Sequence, residues 1–237
     1  MKLPKIDHPI YDVTIPSIKK KVKIRPMLVK EEKILLMAKE GSNPYEIFQA
    51  IKQVVNNCII TGDFDSNKLT LFDLEYMFLR IRSVSIGNIV KVSYRDEDGK
   101  DYPFDIDLEK IEVKFPENQE LLIKTGETSG FKMKYPLATI YSTEAFTSGT
   151  ATEQELIDEL ILNSIDDYFD GENVWRLAQQ PRNEIKEFID GLDIATYNKI
   201  REFVAALPSL YYEVKYTNSN GKEQLIKLTT LTDFFIL

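Results

Sequence analysis

The sequence predicts an α+β fold: an N-terminal β-hairpin and helical cluster, central antiparallel strands, and C-terminal helices closed by a β-hairpin. Three observations predict it. Short runs in which apolar and polar residues alternate flank turn residues, as expected of hairpin strands. Longer segments place apolar residues three and four apart between capping residues and a terminal Gly or Pro, as expected of amphipathic helices. Hydrophobic residues make up 43% of the 237 residues, which is enough for a sizeable core.

The N-terminal third is predicted to hold one hairpin and three helices. Alternating residues on either side of Pro16-Ser17 predict two strands, at 11–15 and 22–26. The first predicted helix spans 29–40 and stops at Gly41. The second begins at Pro44, after Asn43 as the capping residue. The third spans 71–81 and has Thr70 and Asp73 as its N-terminal cap. The third helix is apolar on most sides, so we expect it to be the most buried.

The remaining two thirds alternate between strands and helices. The dipeptide Asp98-Gly99 is a strong hairpin signal between alternating runs at 90–94 and 102–106. After it we expect strands at 111–115, 121–124 and 131–135, a polar connection at 138–150, helices after the Thr152/Glu155 capping box and at 183–190 and 193–207, and a hairpin at 211–217 and 224–228.

The polar connection predicts a division into domains 1–137 and 138–237, unless the two parts form one continuous domain. An internal sequence similarity fits this division, because Tyr94 precedes Gly99 by five residues and Tyr216 precedes Gly221 by five. Two interpretations stay open: a duplicated unit of helices plus hairpin, or the ordinary likeness of polar Gly turns.

Charge is divided unevenly along the chain, whose net charge is −8. Residues 1–40 carry ten basic and five acidic side chains, whereas residues 141–237 carry eight and seventeen. A basic head and an acidic second half indicate surfaces of opposite sign. They do not favour binding to duplex nucleic acid, which needs positive faces.

The counts of rare residues exclude several classes of protein. One cysteine excludes an internal disulfide, and one cysteine with one histidine excludes a Cys/His zinc site within the chain. No segment has the roughly 18 to 20 uninterrupted apolar residues of a membrane span, and the first residues do not resemble a signal peptide. We therefore expect a soluble protein of a reducing cytoplasm.

Candidates for catalysis are weak. The chain lacks phosphate-binding glycine loops and the common hydrolase motifs. Asp63, Asp65 and Asn67 begin like a calcium loop, but Lys68 replaces the required glycine and Leu74 the required glutamate. We therefore expect no enzyme, no catalytic residue, no metal and no cofactor. A metal-dependent hydrolase that uses Asp63 and Asp65 is the remote alternative.

Binding to partner proteins has better candidates. They are a basic strand with Lys19, Lys20, Lys21, Lys23 and Arg25; an acidic helix with Glu153, Glu155, Asp158 and Glu159; and an apolar end with Phe234 and Phe235. The basic strand and the apolar end also have structural interpretations. The basic strand would be a solvated face that discourages aggregation. A nucleic-acid site on this strand is a further alternative, although no aromatic residues are interleaved with the lysines. The apolar end would pack on its own core.

The first third of the chain also resembles a known family. The segments that carry the likeness are Leu3–Ile6, Tyr11–Ser17, Ile24–Ala38, Ala50–Cys58 and Leu71–Arg82. They are similar to the baseplate hub proteins of T-even-like contractile-tailed bacteriophages. The likeness is dense over residues 1–90 and most specific at 25–33.

The resemblance implies a non-enzymatic role in viral tail assembly, as an assembly chaperone or as a hub subunit that persists in the virion. It implies partners among the other baseplate hub proteins, with the tape-measure protein as a further candidate, and neither nucleic acid nor membrane. Some relatives carry cysteine pairs at such hairpins, where this chain has Tyr94 and Tyr216. The resemblance therefore implies no zinc knuckle here, and leaves the oligomeric state open.

Overall fold

The computed structural model describes residues 6–41, 43–62, 64–117 and 119–234, and it confirms the predicted α+β fold class. Helices alternate along the chain with small antiparallel sheets. Within these ranges, no helix combines the length and the apolar character that crossing a membrane requires.

In chain order the elements are β1 (Tyr11–Thr14), β2 (Lys21–Ile24), α1 (Val29–Gly41), α2 (Pro44–Cys58), α3 (Leu71–Ile86), β3 (Ile89–Arg95), β4 (Asp101–Asp107), β5 (Glu112–Lys114), β6 (Leu122–Lys124), β7 (Ser129–Met133), α4 (Glu144–Thr147), α5 (Glu153–Ser164), β8 (Ile165–Asp170), β9 (Asn173–Arg176), α6 (Arg182–Asp190), α7 (Ile194–Ala205), β10 (Ser209–Thr217), β11 (Glu223–Leu228) and α8 (Leu231–Phe234).

The chain forms two compact units. The first unit is Met1–Lys114 with Ser209–Leu237, and the second unit is Phe115–Pro208. The boundary predicted between 137 and 138 falls inside the second unit. The number of independently folding domains, two or one, stays a prediction.

The first unit is built around α3. Phe72, Leu74, Met77 and Leu79 of this helix are buried, as its apolar sequence predicts. Helix α2 packs against both α1 and α3, and the hairpin β1–β2 joins them through a bridge between Ile24 and the residue that follows α2. The predicted N-terminal hairpin and helical cluster are therefore confirmed.

The start of α3 also fixes the hairpin turn. Asp73 closes the predicted capping box, because its backbone N–H donates to Thr70 Oγ1 at 3.3 Å and its carboxylate accepts from the Thr70 hydroxyl at 2.7 Å. The same carboxylate accepts the backbone N–H of Ser17 at 2.9 Å. One buried acid therefore satisfies a helix terminus and a distant turn at once.

Two hairpins of the first unit share one turn geometry. In β3–β4 the N–H of Gly99 donates to the Asp96 carbonyl at 2.9 Å, and in β10–β11 the N–H of Gly221 donates to the Asn218 carbonyl at 3.0 Å. The two glycines have φ of +76° and +75°, a conformation that favours glycine. This confirms both hairpins, while a common origin by duplication stays a prediction.

The same two hairpins bind each other at their turns. The Asn218 side-chain amide donates to Asp96 at 3.0 Å, and the Ser219 hydroxyl donates to Asp98 at 2.7 Å. Behind the turns the Tyr216 ring packs against Tyr94, Tyr102 and Phe104, with centroids 6.5, 4.8 and 5.2 Å away. Aromatic packing and hydrogen bonds therefore hold this hairpin pair together.

The second unit has a four-stranded antiparallel sheet in the order β6-β7-β8-β9. Phe131, Tyr168 and Trp175 are opposite one another on successive strands and so share a face. The core of the unit combines Phe131 with residues of α5, α6 and α7, such as Ile189 and Phe203. The predicted helices after Thr152 and around 183–190 and 193–207 are confirmed.

Three features of the fold differ from the sequence prediction. Residues 165–176 form the hairpin β8–β9, where no strands were expected. The supposed loop 138–150 contains a 3-10 turn, Ala138–Ser142, and the short helix α4. Strand β5 pairs with β10 across almost a hundred residues of sequence, with Leu210 opposite Val113.

Candidate partner-binding sites

The basic strand is largely exposed, as the sequence suggested. Lys21 and Lys23 lie on the outer face of β2, whereas Val22 and Ile24 between them are buried. Lys23 is opposite Asp12, and their side chains form an exposed ion pair at 3.6 Å. Lys19 and Lys20 are exposed in the turn before β2, beside Ile18, which is 62% exposed. This hairpin end therefore offers a basic surface with an apolar tip.

Arg25 does not belong to that surface. Its side chain is 14% exposed, and its guanidinium donates from Nη2 to Glu31 Oε1 at 3.0 Å and to the Asn57 carbonyl at 3.0 Å. Glu31 is fully buried and also accepts the N–H of Leu28 at 2.8 Å. Burial would raise the pKa of Glu31, but these hydrogen bonds outweigh it and lower the pKa. Arg25 and Glu31 form an internal brace, which we call the Arg25–Glu31 brace.

The acidic residues of α5 lie at a mixed-charge cleft. Glu155, Asp158 and Glu159 line a cavity of about 770 Å³ together with Arg182 and Lys186 of α6. Two basic side chains thus face the three acids across the cleft. Its surface is therefore less negative than the sequence of α5 alone predicts.

Individual acids of α5 also have structural roles. Glu155 accepts the N–H of Thr152 at 2.7 Å in the predicted capping box, and this hydrogen bond lowers its pKa. Glu159 is buried and paired with Arg182 and Asn163. Glu153 stays exposed at the start of the helix, as does Glu155 itself. The exposed acids are those that remain available to a partner.

Phe234, the described residue of the apolar end, packs within the first unit. Phe234 is fully buried, which matches the structural interpretation of this segment, and Phe235 lies outside the described residues. Asp233 accepts the N–H groups of Thr229 and Thr230 at 2.8 Å each. The Leu231 N–H donates to Glu75 of α3, whose pKa burial raises to about 7.

Sequence reasoning missed an aromatic pocket at the edge of the second unit's sheet. Trp175, the chain's single tryptophan, is 43% exposed and lines a pocket of about 340 Å³ with Tyr168, Ile185 and Phe188. The Tyr168 and Trp175 rings are 5.8 Å apart, and the Tyr168 and Phe188 rings 4.9 Å. The dipeptide Asp170-Gly171, between Tyr168-Phe169 and Val174-Trp175, was the signal that could have revealed this hairpin.

Two residues with side chains capable of chemistry, Asp65 and Cys58, are hydrogen-bonded or buried. Asp65 Oδ1 accepts the N–H of Asn67 at 2.9 Å and its side-chain amide at 2.8 Å, which lowers the pKa of Asp65. Asp63 lies outside the described residues. Cys58 is buried, and burial raises the pKa of its thiol to about 11. Over the described part of the chain, His, Cys, Asp and Glu form no group of three suited to a metal ion.

Comparison with known proteins gives one result. A family model described as T4 bacteriophage base plate protein matches residues 8–236. Neither the curated proteins nor the solved structures contain a significant match. The family match spans both compact units and agrees with the resemblance of the first third to phage baseplate proteins. The chain therefore belongs to the T4 bacteriophage base plate protein family, whose role is structural or in assembly of the phage baseplate.

Proposed function

We propose that the chain is a non-enzymatic baseplate hub assembly protein, which acts through protein–protein contacts as an assembly chaperone or as a hub subunit. The observation that carries the proposal is the resemblance of residues 1–90 to hub proteins, in a chain whose family match extends over 8–236. Its partners are other hub proteins and the tape-measure protein. It meets them in the host cytoplasm during assembly and, as a hub subunit, stays in the tail baseplate.

The structure supports different roles for the buried and the exposed residues of the segment that resembles hub proteins. Residues 25–33, where the likeness to hub proteins is most specific, contain the Arg25–Glu31 brace, which is internal. The likeness therefore concerns the scaffold of the first unit. Exposed groups around that scaffold, such as Lys20 and Lys21 at the hairpin, are left to recognise partners.

A role without catalysis is supported by the contacts of two acids of the first unit, Asp65 and Asp73. Asp65 is engaged by Asn67, and Asp73 by Thr70 and Ser17, so these carboxylates stabilise turns and caps. The single thiol, Cys58, is buried in α2 with a pKa far above neutral pH, which is the environment of an inert thiol.

Co-expression with the phage's other hub proteins and its tape-measure protein, followed by affinity capture, tests the proposal. We expect at least one of them to co-purify, and we expect capture to weaken in high salt because charged faces contribute. The double variant Lys20→Glu, Lys21→Glu should reduce capture. The control Lys100→Glu, Lys215→Glu makes the same charge change on exposed lysines of the same unit and should not.

Failure to capture any of these proteins would overturn the proposal. The two versions of the function separate by the composition of purified mature virions. A hub subunit is present there at a fixed stoichiometry, whereas an assembly chaperone has left.

A further inference from the structure

The edge of the second unit's sheet combines three properties of a strand-docking site. Strand β9 is the last strand in the order β6-β7-β8-β9, and all four of its residues are exposed. In an antiparallel pair, alternate residues direct their N–H and C=O groups away from the partner strand. An edge strand therefore presents a row of backbone donors and acceptors that an extended chain can pair with.

The second property is an apolar pocket beside that edge. Trp175 and Phe188, 43% and 38% exposed, open the pocket, and Val174 on β9 is 60% exposed. A partly exposed tryptophan beside a pocket is a common anchor in protein interfaces. An added strand on β9 would place alternate side chains over this pocket, because successive residues of a strand point to opposite faces.

The third property is charge. The second unit, Phe115–Pro208, carries 17 acidic and 8 basic side chains, net −9, whereas the first unit carries 21 and 22, net +1. Glu184 lines the aromatic pocket itself, and Asp170 and Glu172 are exposed at the turn that leads into β9. Arg176, the basic residue of β9, is adjacent to Trp175 and so points to the other face of the sheet. A partner residue that reaches the pocket is therefore favoured if it is basic.

We propose that β9 and the Trp175 pocket bind an extended segment of a partner baseplate protein that carries both apolar and basic residues on one face. The segment adds a fifth strand to the sheet. On the face of that strand towards the pocket, its apolar side chains lie over Trp175 and Phe188, and its basic side chain reaches Glu184, which lines the same pocket. This inference rests on the proposed function, in that the occupant is another protein of the baseplate.

The single tryptophan reports on this site directly. The probe is a synthetic twelve-residue peptide of three Val-Thr-Lys-Thr repeats, called the lysine–valine peptide, in which valine and lysine alternate on one face of the extended chain. It is titrated into the whole protein while Trp175 emission is recorded. We expect a saturable blue shift whose apparent Kd weakens with salt. A peptide with glutamate in place of lysine should cause no shift. A lysine–valine peptide with proline at two central positions should cause none either, because proline cannot pair in a sheet.

Two matched variants locate the binding site. Glu184→Lys should raise the Kd of the lysine–valine peptide at least tenfold. Glu202→Lys, the same charge change at an exposed residue of α7 in the same unit, should leave its Kd unchanged within about twofold. Equal shifts with both peptides, or equal Kd for the two variants, would overturn the inference. So would a blue shift that depends on protein concentration without peptide, since the occupant would then be a second copy.

The same variants separate this inference from the proposed function. If Glu184→Lys captures hub proteins as well as the wild type does, the docking site is refuted while the hub function stands. If the peptide binds as expected but the wild type captures no hub or tape-measure protein, the hub function is refuted.

Discussion

The two compact units use their charged residues in different ways. In the first unit acidic and basic residues nearly balance, and the acids Glu31 and Asp73 are buried and fully engaged. In the second unit acids exceed bases by nine, and Glu159, paired with Arg182, is the buried acid that the structure describes there. The first unit therefore uses charge for internal order, whereas the second presents most of its excess charge to solvent.

This difference indicates which charges matter for folding and which for recognition. A buried carboxylate must be paired, because removing one partner leaves an uncompensated charge. An exposed carboxylate contributes little to stability, but it selects partners and accelerates association. The comparison predicts large stability effects at the buried acids of the first unit and small ones at the exposed acids of the second.

The largest effect is expected at the Arg25–Glu31 brace. Arg25→Ala leaves Glu31 buried without its guanidinium partner and should lower the free energy of unfolding by about 3–5 kcal/mol. Urea unfolding followed by circular dichroism measures it. Lys21→Ala, on the exposed face of the same hairpin, should cost less than about 0.5 kcal/mol. Equal costs for the two variants would remove the distinction between internal and external charge.

The next effect depends on pH. Glu75 has a folded-state pKa raised to about 7 from 4.5 by burial, so its contribution is fully present below about pH 4.5 and is lost as pH rises through 7. Glu75→Gln keeps an acceptor for the Leu231 N–H without the charge. It should stabilise the protein by up to about 3 kcal/mol at pH 8. At pH 4 the two proteins should unfold at the same urea concentration, and a gain that is equal at both pH values would contradict this assignment.

A smaller effect is expected where the two hairpins of the first unit meet. Asn218→Ala removes the amide that donates to Asp96, a buried acceptor, and should cost about 1–3 kcal/mol. Asn220→Ala, at an exposed position of the same turn, is the control and should cost less than about 0.5 kcal/mol. Thermal unfolding distinguishes the two, and a neutral Asn218→Ala would show that the contact between the turns does not stabilise the unit.

The smallest effect is expected on the acidic surface of the second unit. Glu202→Lys reverses an exposed charge in a unit of net −9, so it should change stability by less than about 0.5 kcal/mol, with a gain at low salt. Differential scanning calorimetry in 20 mM and 500 mM NaCl tests this. A loss above 2 kcal/mol would mean that this surface carries structural charge as the first unit does.

Local signals made much of the fold predictable. The Thr70/Asp73 and Thr152/Glu155 capping boxes and the Asp98-Gly99 turn each specify their element within a few residues, and all three appear in the structure. The basic hairpin was predictable too, because Lys21 and Lys23 alternate with buried Val22 and Ile24.

Other features were not predictable for physical reasons. Aspartate is rare in strands, so the sequence around Asp166 and Asp167 did not predict β8. In the structure, Lys132 of the neighbouring strand forms ion pairs with both. The pairing of β5 with β10 joins distant parts of the chain, and local periodicity carries no information about such contacts. For the same reason the sequence could not show that Arg25 points inward: its partner carbonyl, Asn57, is far along the chain.

The most direct test of the central claim is a phage in which this chain is not made. The proposed function predicts that infected cells accumulate baseplates without a hub and no complete tails, and that the wild-type chain supplied in trans restores them. Electron microscopy of sedimented tail intermediates shows either outcome. Complete, infectious tails in the absence of the chain would contradict the claim that it is needed to assemble the baseplate hub.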